Sequence, residues 1–244
     1  MKGVILAAGI SSRLRPLTDS TPKCLLDLGG KTILGRTLEN LRAHNVTEIL
    51  IVTGYRERQI REFVSREFPD LAVRFLLNER FASTNNIYSL WLTRDQVLGD
   101  DMLLLDSDIV FDSRILGLLL GNAHENCLAV TTGVELGSEE IKVRIGDQGY
   151  IVEISKEVEP AAAIGESIGI ERFGPRFLSS LFAVLDRKIL VESNVNQFYE
   201  AAFQEVIGGP HKIFPVVVGD YRCMEIDTPD DIEAVRGTVI PHLQ

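Results

Sequence analysis

Short apolar segments alternate with amphipathic ones over the first two thirds of the sequence, and this order limits the folds open to it. The apolar segments, typical of buried strands, cover residues 3–8, 48–53, 72–77 and 101–105. Helical periodicity separates them, at residues 33–43, 56–68 and 86–95. A β-α-β-α-β-α-β order predicts a Rossmann-like, doubly wound and mostly parallel sheet with helices on both faces.

The remaining sequence changes character and predicts a small β-rich elaboration in the C-terminal third. Short strands are expected at 127–132, 141–145 and 150–154, and the last two flank a hairpin turn at 146–149. Helices are expected at 177–190, 196–207 and 229–236, the last with Thr228 as N-cap, and a late strand at 213–218. Because no linker or repeat interrupts the chain, we predict one domain over 1–244. In it, 1–125 form the core and 126–244 complete the sheet at its edge.

Composition excludes several classes of function. A formal net charge of −10 argues against a nucleic-acid or anionic-membrane binder, and no segment is apolar for long enough to insert into a membrane. The N-terminal segment MKGVILAAG is interpreted as a first strand rather than a signal peptide. The three cysteines form no CxxC pair and their number is odd, which predicts a reducing, cytoplasmic location.

The loop after the first strand, LAAGISSRLRPLTDSTPK, is a candidate phosphate-binding segment. Small residues there would let backbone N–H groups approach phosphate oxygens, and three cations follow them. The small residues are Ala7, Ala8, Gly9, Ser11 and Ser12, and the cations are Arg13, Arg15 and Lys23. On composition alone, a solvated basic loop explains the segment equally well.

Two pairs of acids follow strand-like segments and are candidate metal ligands. Asp106 and Asp108 come directly after the fourth strand, and Glu225 and Asp227 lie near the C-terminus. Carboxylates held this way suit Mg²⁺, which also takes oxygens from substrate phosphates. The alternative is helix capping or loop hydrogen bonding, and it is stronger for Asp227 because Thr228 and Pro229 follow.

The segment NERFASTNNIYSLWL, after the third strand, holds polar and aromatic candidates for ligand contact. Asn85 and Asn86 suit hydrogen bonds to a base or ribose, although a turn and N-cap explain them better. Tyr88 and Trp91 suit contact with a cationic ligand. The favoured interpretation places Trp91, with Ile87 and Leu90, on the core face of a helix.

These residues together resemble the nucleotidyltransferase superfamily that includes the sugar-1-phosphate nucleotidylyltransferases. Its signature, LAAGxGxRLxPLTxxxPK, matches residues 6–23, with Ser11 in place of a glycine. Within the superfamily, STNNIYSLWL, LDSD and MEID are most similar to the bacterial choline-phosphate and 2-aminoethylphosphonate cytidylyltransferases. The resemblance implies transfer of CMP from CTP to a small phosphorylated or phosphonate amino alcohol, with release of pyrophosphate.

The resemblance also implies a set of site residues, of which Arg13 and Lys23 would act on the phosphates in catalysis. Asp108 and Asp227 would hold Mg²⁺. The nucleotide-binding set is Leu6, Ala7, Ala8, Gly9, Ser11, Ser12, Asn85 and Asp106. For the acceptor, the resemblance implies Lys156 and, from the GESIGI stretch, Glu166. Residue type and expected position, rather than the resemblance, add Tyr88, Trp91 and Glu225 to the acceptor-binding set; with Glu166 and Tyr221 they would cage a cationic group.

Other functions share part of this pattern. A sugar-1-phosphate or inositol-phosphate nucleotidylyltransferase shares everything except the acceptor pocket. A glycosyltransferase with a DxD metal site would lack the RLxPLTxxxPK loop, and a non-catalytic nucleotide sensor would not need acids on two separated strands. The sequence leaves the acceptor and the formation of a homo-oligomer open.

Overall fold

The computed structural model describes residues 1–243, and its helices pack on both faces of one large sheet. The strands are β1 Lys2–Ala7, β2 Glu48–Thr53, β3 Ala72–Leu77, β4 Met102–Asp106, β5 Ile109–Phe111, β6 Cys127–Thr131, β7 Lys142–Ile145, β8 Ile151–Ser155, β9 Gly165–Phe173, β10 Phe214–Val217 and β11 Cys223–Glu225. The helices are α1 Ile33–Ala43, α2 Glu57–Glu67, α3 Asn86–Leu92, α4 Arg94–Val97, α5 Arg114–Leu120, α6 Pro175–Asp186, α7 Glu200–Ile207 and α8 Pro229–Thr238.

The large sheet has the order β10-β6-β9-β4-β1-β2-β3 among residues 1–243, and β7 and β8 join it beside β9. Strands β4, β1, β2 and β3 are parallel, whereas β9 runs antiparallel to both β4 and β6. The predicted doubly wound, mostly parallel sheet is therefore confirmed. The carboxyl ends of β1 and β4 lie side by side, since Leu6 pairs with Asp106, and this adjacency positions the site.

The alternation along β1 explains why its sequence is apolar throughout. Val4 and Leu6 pack into a core with α3, α6 and α7, while Ile5 and Ala7 pack into a core with α1, α2 and α5 on the opposite face. Full burial of one such aliphatic side chain stabilises the fold by roughly 1.5–3 kcal/mol.

A third, smaller core joins the C-terminal helix to the loop after β1. Leu14 and Leu28 from the loop pack against Ile232 and Val235 of α8. The helix begins as predicted: the Thr228 side chain accepts from the Asp231 N–H, and the Asp231 carboxylate accepts from the Thr228 N–H. This packing brings the late acids next to the loop.

Several sequence predictions need correction. The C-terminal part was expected to extend an edge of the sheet, but β9, which was not predicted as a strand, lies between β4 and β6. Helix α5 was also missed. The helix predicted at 86–95 ends at Leu92, and the one predicted at 196–207 begins at Glu200. Local periodicity carries no information about which strands pair. The position of β9 in the sheet therefore could not be predicted from it.

Candidate active site

The loop after β1 positions two cations over the carboxyl end of the sheet. It contains short 3₁₀ turns at Ser12–Leu14 and Lys23–Leu25, which place Arg13 and Lys23. Ser11 precedes the first turn in the left-handed region, with φ of 54° and ψ of 54°. L-residues adopt this conformation at a cost, whereas glycine adopts it readily. The conformation therefore explains why the superfamily signature has a glycine at this position.

The second element of the site is a two-stranded ribbon that brings distant acids together. Strand β11 pairs antiparallel with β5, so that Glu225 lies opposite Ile109. Just beyond the pair, the Ile226 N–H donates to the Asp108 carbonyl over 3.0 Å. Asp227 therefore lies beside Asp108, although the two are far apart in sequence.

Lys23 joins the loop to both acids. Its Nζ lies 2.8 Å from Asp108 Oδ2 and 2.8 Å from Asp227 Oδ1, and Arg13 donates to Asp227 Oδ2 over 2.5 Å. Burial alone lowers the pKa of Lys23, but the two carboxylates outweigh it and hold that pKa above its ordinary value. We call Arg13, Lys23, Asp108 and Asp227 the paired end of the crevice.

The paired end also has the ligands that a divalent cation requires. Among residues 1–243, Asp108, Glu225 and Asp227 are the group in which one carboxylate oxygen from each residue lies within 4.8 Å of the others. Asp108 Oδ1 is buried and has no hydrogen-bond partner there. Three carboxylates with an unused buried oxygen fit a hard cation such as Mg²⁺. Glu225, which the sequence offers both as a metal ligand and as an acceptor contact, lies with the metal-type acids.

A crevice of about 600 Å³ opens above these residues and contains most of the predicted site. The predicted residues that line it are Leu6, Ala7, Ala8, Gly9, Ser11, Ser12, Arg13, Lys23, Asn85, Asp106, Asp108, Lys156, Glu166, Glu225 and Asp227. Asn85 also caps α3, since its Oδ1 accepts from the Asn86 N–H over 2.7 Å.

Tyr88 and Trp91 do not line the crevice, and their predicted contact with the acceptor is not supported. Trp91 Nε1 donates to Asp186 Oδ1 over 2.9 Å, and the two rings pack against each other and the core. The Arg80 guanidinium covers the Tyr88 ring. Tyr221 is likewise occupied, by the guanidinium of Arg114.

Sequence reasoning missed a buried group beside Asp106. The Tyr199 hydroxyl donates to Asp106 Oδ2 over 2.9 Å and lies 3.4 Å from Glu171 Oε1. Loss of solvation, together with the charges of Asp108 and Glu200, raises the pKa of Asp106 well above its ordinary value. We call Asp106, Ser167, Glu171 and Glu200 the acidic wall. No local pattern marks it, because its members meet only through the insertion of β9 and the start of α7.

Lys156 and Glu166 also line the crevice. Lys156 pairs with Glu139 over 3.0 Å, and its Nζ lies 4.8 Å from the centre of the Phe198 ring. Burial, with Glu140 nearby, raises the pKa of Glu166 to about 7.

An open sheet with a cationic small-residue loop after its first strand, facing acids from two other strands, defines a nucleotidyltransferase. Residues 3–146 match the family model described as the MobA-like NTP transferase domain, and the chain belongs to that family. The class inferred from the motif is confirmed.

Related proteins agree with this class. The chain is 28% identical to the CTP:phosphoglutamine cytidylyltransferase of Campylobacter jejuni, over 96% of this chain and 98% of the relative. It is 38% identical to the choline-phosphate cytidylyltransferase of Haemophilus influenzae, over 47% of each chain. It is 26% identical to the CMP-5'-(3-aminopropyl)phosphonate synthase of Streptomyces rubellomurinus, over 95% of this chain and 37% of the relative.

Solved structures share the fold. The CTP:phosphocholine cytidylyltransferase of Streptococcus pneumoniae superposes with a TM-score of 0.79 at 22% identity, covering 97% of each chain. The inositol-1-phosphate CTP transferase of T. maritima gives 0.81 at 18% identity, covering 100% of this chain and 97% of the other. Within residues 1–243, no helix combines the length and apolar character needed to cross a membrane.

Proposed function

We propose that the chain transfers CMP from CTP to a small phosphorylated or phosphonate acceptor that carries an ammonium group, and that pyrophosphate is released. The names of its relatives support CTP as the donor and acceptors of this kind. The observation that carries the proposal is the paired end, where Lys23 bridges Asp108 and Asp227 beneath a loop suited to phosphates.

In the proposed reaction, an acceptor oxygen attacks the α-phosphorus of CTP and pyrophosphate leaves in line. The acceptor oxygen is already anionic at neutral pH, so no strong general base is needed. The barrier lies in gathering several negative charges, which positioned cations offset. Lys23 would neutralise the α-phosphate, while Arg13 would hold the leaving pyrophosphate.

Asp108 and Asp227 would hold Mg²⁺, with Glu225 close enough to assist. When bound, the ion would polarise phosphate oxygens and offset their charge. Lys23 contacts both aspartates and offsets part of their charge.

The remaining roles follow the shape of the crevice. The backbone of Leu6, Ala7 and Ala8 and the side chain of Asn85 would read the base, and Asp106 would support the nucleotide side. Lys156 would meet the acceptor phosphate, with Glu166 near the rest of the acceptor. We also propose that residues 1–244 act as one domain, because β6, β9 and β10 belong to the same sheet as β1.

An acceptor panel tests the proposal. Pyrophosphate release is measured with CTP or UTP against phosphocholine, phosphoethanolamine, 2-aminoethylphosphonate, inositol phosphate and glucose-1-phosphate, with Mg²⁺ or with EDTA. We expect turnover with CTP and the ammonium-bearing acceptors, abolished by EDTA. Preference for a sugar or inositol phosphate would favour the alternative nucleotidylyltransferase and refute the proposed acceptor class.

A further inference from the structure

Three buried polar atoms of the acidic wall have no hydrogen-bond partner within residues 1–243. They are Ser167 Oγ, Glu171 Oε2 and Glu200 Oε2, and their residues are 7%, 0% and 6% exposed. Buried polar atoms are nearly always paired, because an unpaired one loses its hydration without compensation. Ser167 and Glu200 also line the crevice. Two of the residues with unsatisfied polar atoms therefore border the space in which a ligand would bind.

Within residues 1–243, the acids of the acidic wall lack an ion-pair partner. Asp106, Glu171 and Glu200 form no ion pair with lysine or arginine in the described chain, in contrast to Asp108 and Asp227. Burial raises the pKa of Glu200 to about 7, and the charge of nearby Lys156 opposes that rise only in part. A cation that arrives beside Glu200 would favour its ionised form.

The geometry decides between a metal ion and a larger cation. Within residues 1–243, the oxygens that converge closely enough for a metal ion come from Asp108, Glu225 and Asp227. The acids of the acidic wall do not converge in this way. An organic ammonium group bonds through separate N–H donors, so single acceptor oxygens from different elements suit it without forming a metal-like cluster.

We propose that Glu200 and Ser167 bind the ammonium group of the acceptor, and that they favour an ammonium group with N–H bonds over a trimethylated one. The inference rests on the acceptor class proposed above. A carboxylate and a hydroxyl accept hydrogen bonds from N–H groups. A trimethylated group has none to donate and is recognised by aromatic faces.

The aromatic rings of the crevice do not supply such a cage. Phe81 and Phe198 are the rings that line it in residues 1–243, and Lys156 already lies over Phe198. Lys156 and Glu200 are close enough to influence each other's charge. They suit one short zwitterion, with its anionic end at Lys156 and its cationic end at Glu200.

Steady-state kinetics with three phosphonates test this. They are 2-aminoethylphosphonate, its N-trimethyl counterpart and propylphosphonate, each assayed with CTP by pyrophosphate release. We expect the wild-type kcat/KM to fall about tenfold or more on trimethylation, as lost hydrogen bonds to a charged group imply. Glu200→Gln should lower kcat/KM for 2-aminoethylphosphonate by about 10- to 100-fold, and Ser167→Ala by about 5- to 10-fold.

The controls separate recognition from structural damage. Both variants should keep the KM for CTP and their activity with propylphosphonate within about twofold of wild type. Glu153→Gln, which removes a surface carboxylate paired with Arg144, should change neither the KM for CTP nor the activity with propylphosphonate. If Glu200→Gln does not fold, as judged by thermal unfolding, Ser167→Ala decides the matter alone.

Two results would overturn the inference while leaving the proposed function in place. One is an equal loss for charged and uncharged acceptors, accompanied by a raised KM for CTP. The other is wild-type preference for the trimethylated acceptor. Absence of pyrophosphate release with every acceptor would instead refute the cytidylyltransferase proposal, so the two failures are distinguishable.

Discussion

Two neighbouring groups of acids at the crevice differ in how their charge is offset. At the paired end, each aspartate has a cationic partner: Lys23 contacts Asp108 and Asp227, and Arg13 contacts Asp227. At the acidic wall, Glu171 and Glu200 are buried without an ion pair, and the Tyr199 hydroxyl contacts Asp106 and Glu171 instead.

The difference indicates which acids already have a charged partner in the protein. At the paired end, ion pairs position Asp108 and Asp227, although Asp108 Oδ1 is left without a hydrogen-bond partner. In the acidic wall, burial raises the pKa values of Glu171 and Glu200, because the ionised form of a buried carboxylate is unfavourable. Departures from ordinary burial rules concentrate where proteins bind ligands.

The largest expected effect is at the paired end. Lys23→Ala should lower turnover by on the order of 10²–10³, because one positioned donor to the developing charge is lost. The measurement is kcat with CTP, Mg²⁺ and 2-aminoethylphosphonate. Lys31→Ala, which removes a lysine paired with Glu39 on the surface, serves as the control and should be near wild type. Near-normal turnover of a folded Lys23→Ala protein would refute the assigned role.

Glu200 of the acidic wall should make the free energy of unfolding depend on pH. The pKa of Glu200 rises from 4.5 unfolded to about 7 folded, so the folded state binds the proton more tightly. Its contribution is present in full below pH 4.5 and is lost as the pH rises through 7, a change of about 3 kcal/mol at most. Glu200→Gln should flatten this part of the curve of unfolding free energy against pH. An unchanged slope between pH 4.5 and 7 would contradict the assignment.

The backbone beside the acidic wall should also resist change. Gly169 has φ of +68°, and a Cβ there would lie 2.7 Å from Asp106 Oδ2, which Tyr199 holds in place. Gly169→Ala should therefore lower the free energy of unfolding by about 2 kcal/mol, from backbone strain and the close contact together. Denaturant unfolding measures this loss. A stability equal to wild type would show that Asp106 moves freely.

The smallest effect is expected at Ser11, the left-handed residue just before Arg13 of the paired end. Ser11→Gly should raise the free energy of unfolding by about 0.5 kcal/mol, since relief of backbone strain exceeds the entropy gained by the unfolded chain. Ser12→Gly, within the 3₁₀ turn, should instead lower it by about 0.5–1 kcal/mol. The opposite signs, read from denaturant unfolding, test whether the conformation of Ser11 is strained.

The sequence predicted the parallel half of the fold well because its signals are local. Strand β1 sends alternate residues to two cores, so it is apolar throughout, and α8 begins at Thr228 through a capping box. The motif of residues 6–23 identified the class of enzyme. The spacing of Tyr88 and Trp91 is compatible with a core helix and with a ligand site. In the structure, both side chains pack against the core.

By itself, then, the sequence determined the strand–helix order, the phosphate-type loop and the positions of acids after strands, because short-range periodicity and local motifs specify these. Tertiary structure alone decided that β9 lies between β4 and β6, that Lys23 joins Asp108 to Asp227, and that Tyr199 and Glu200 meet Asp106. Strand pairing and the charge environment of buried acids depend on contacts between distant segments. No local pattern encodes those contacts.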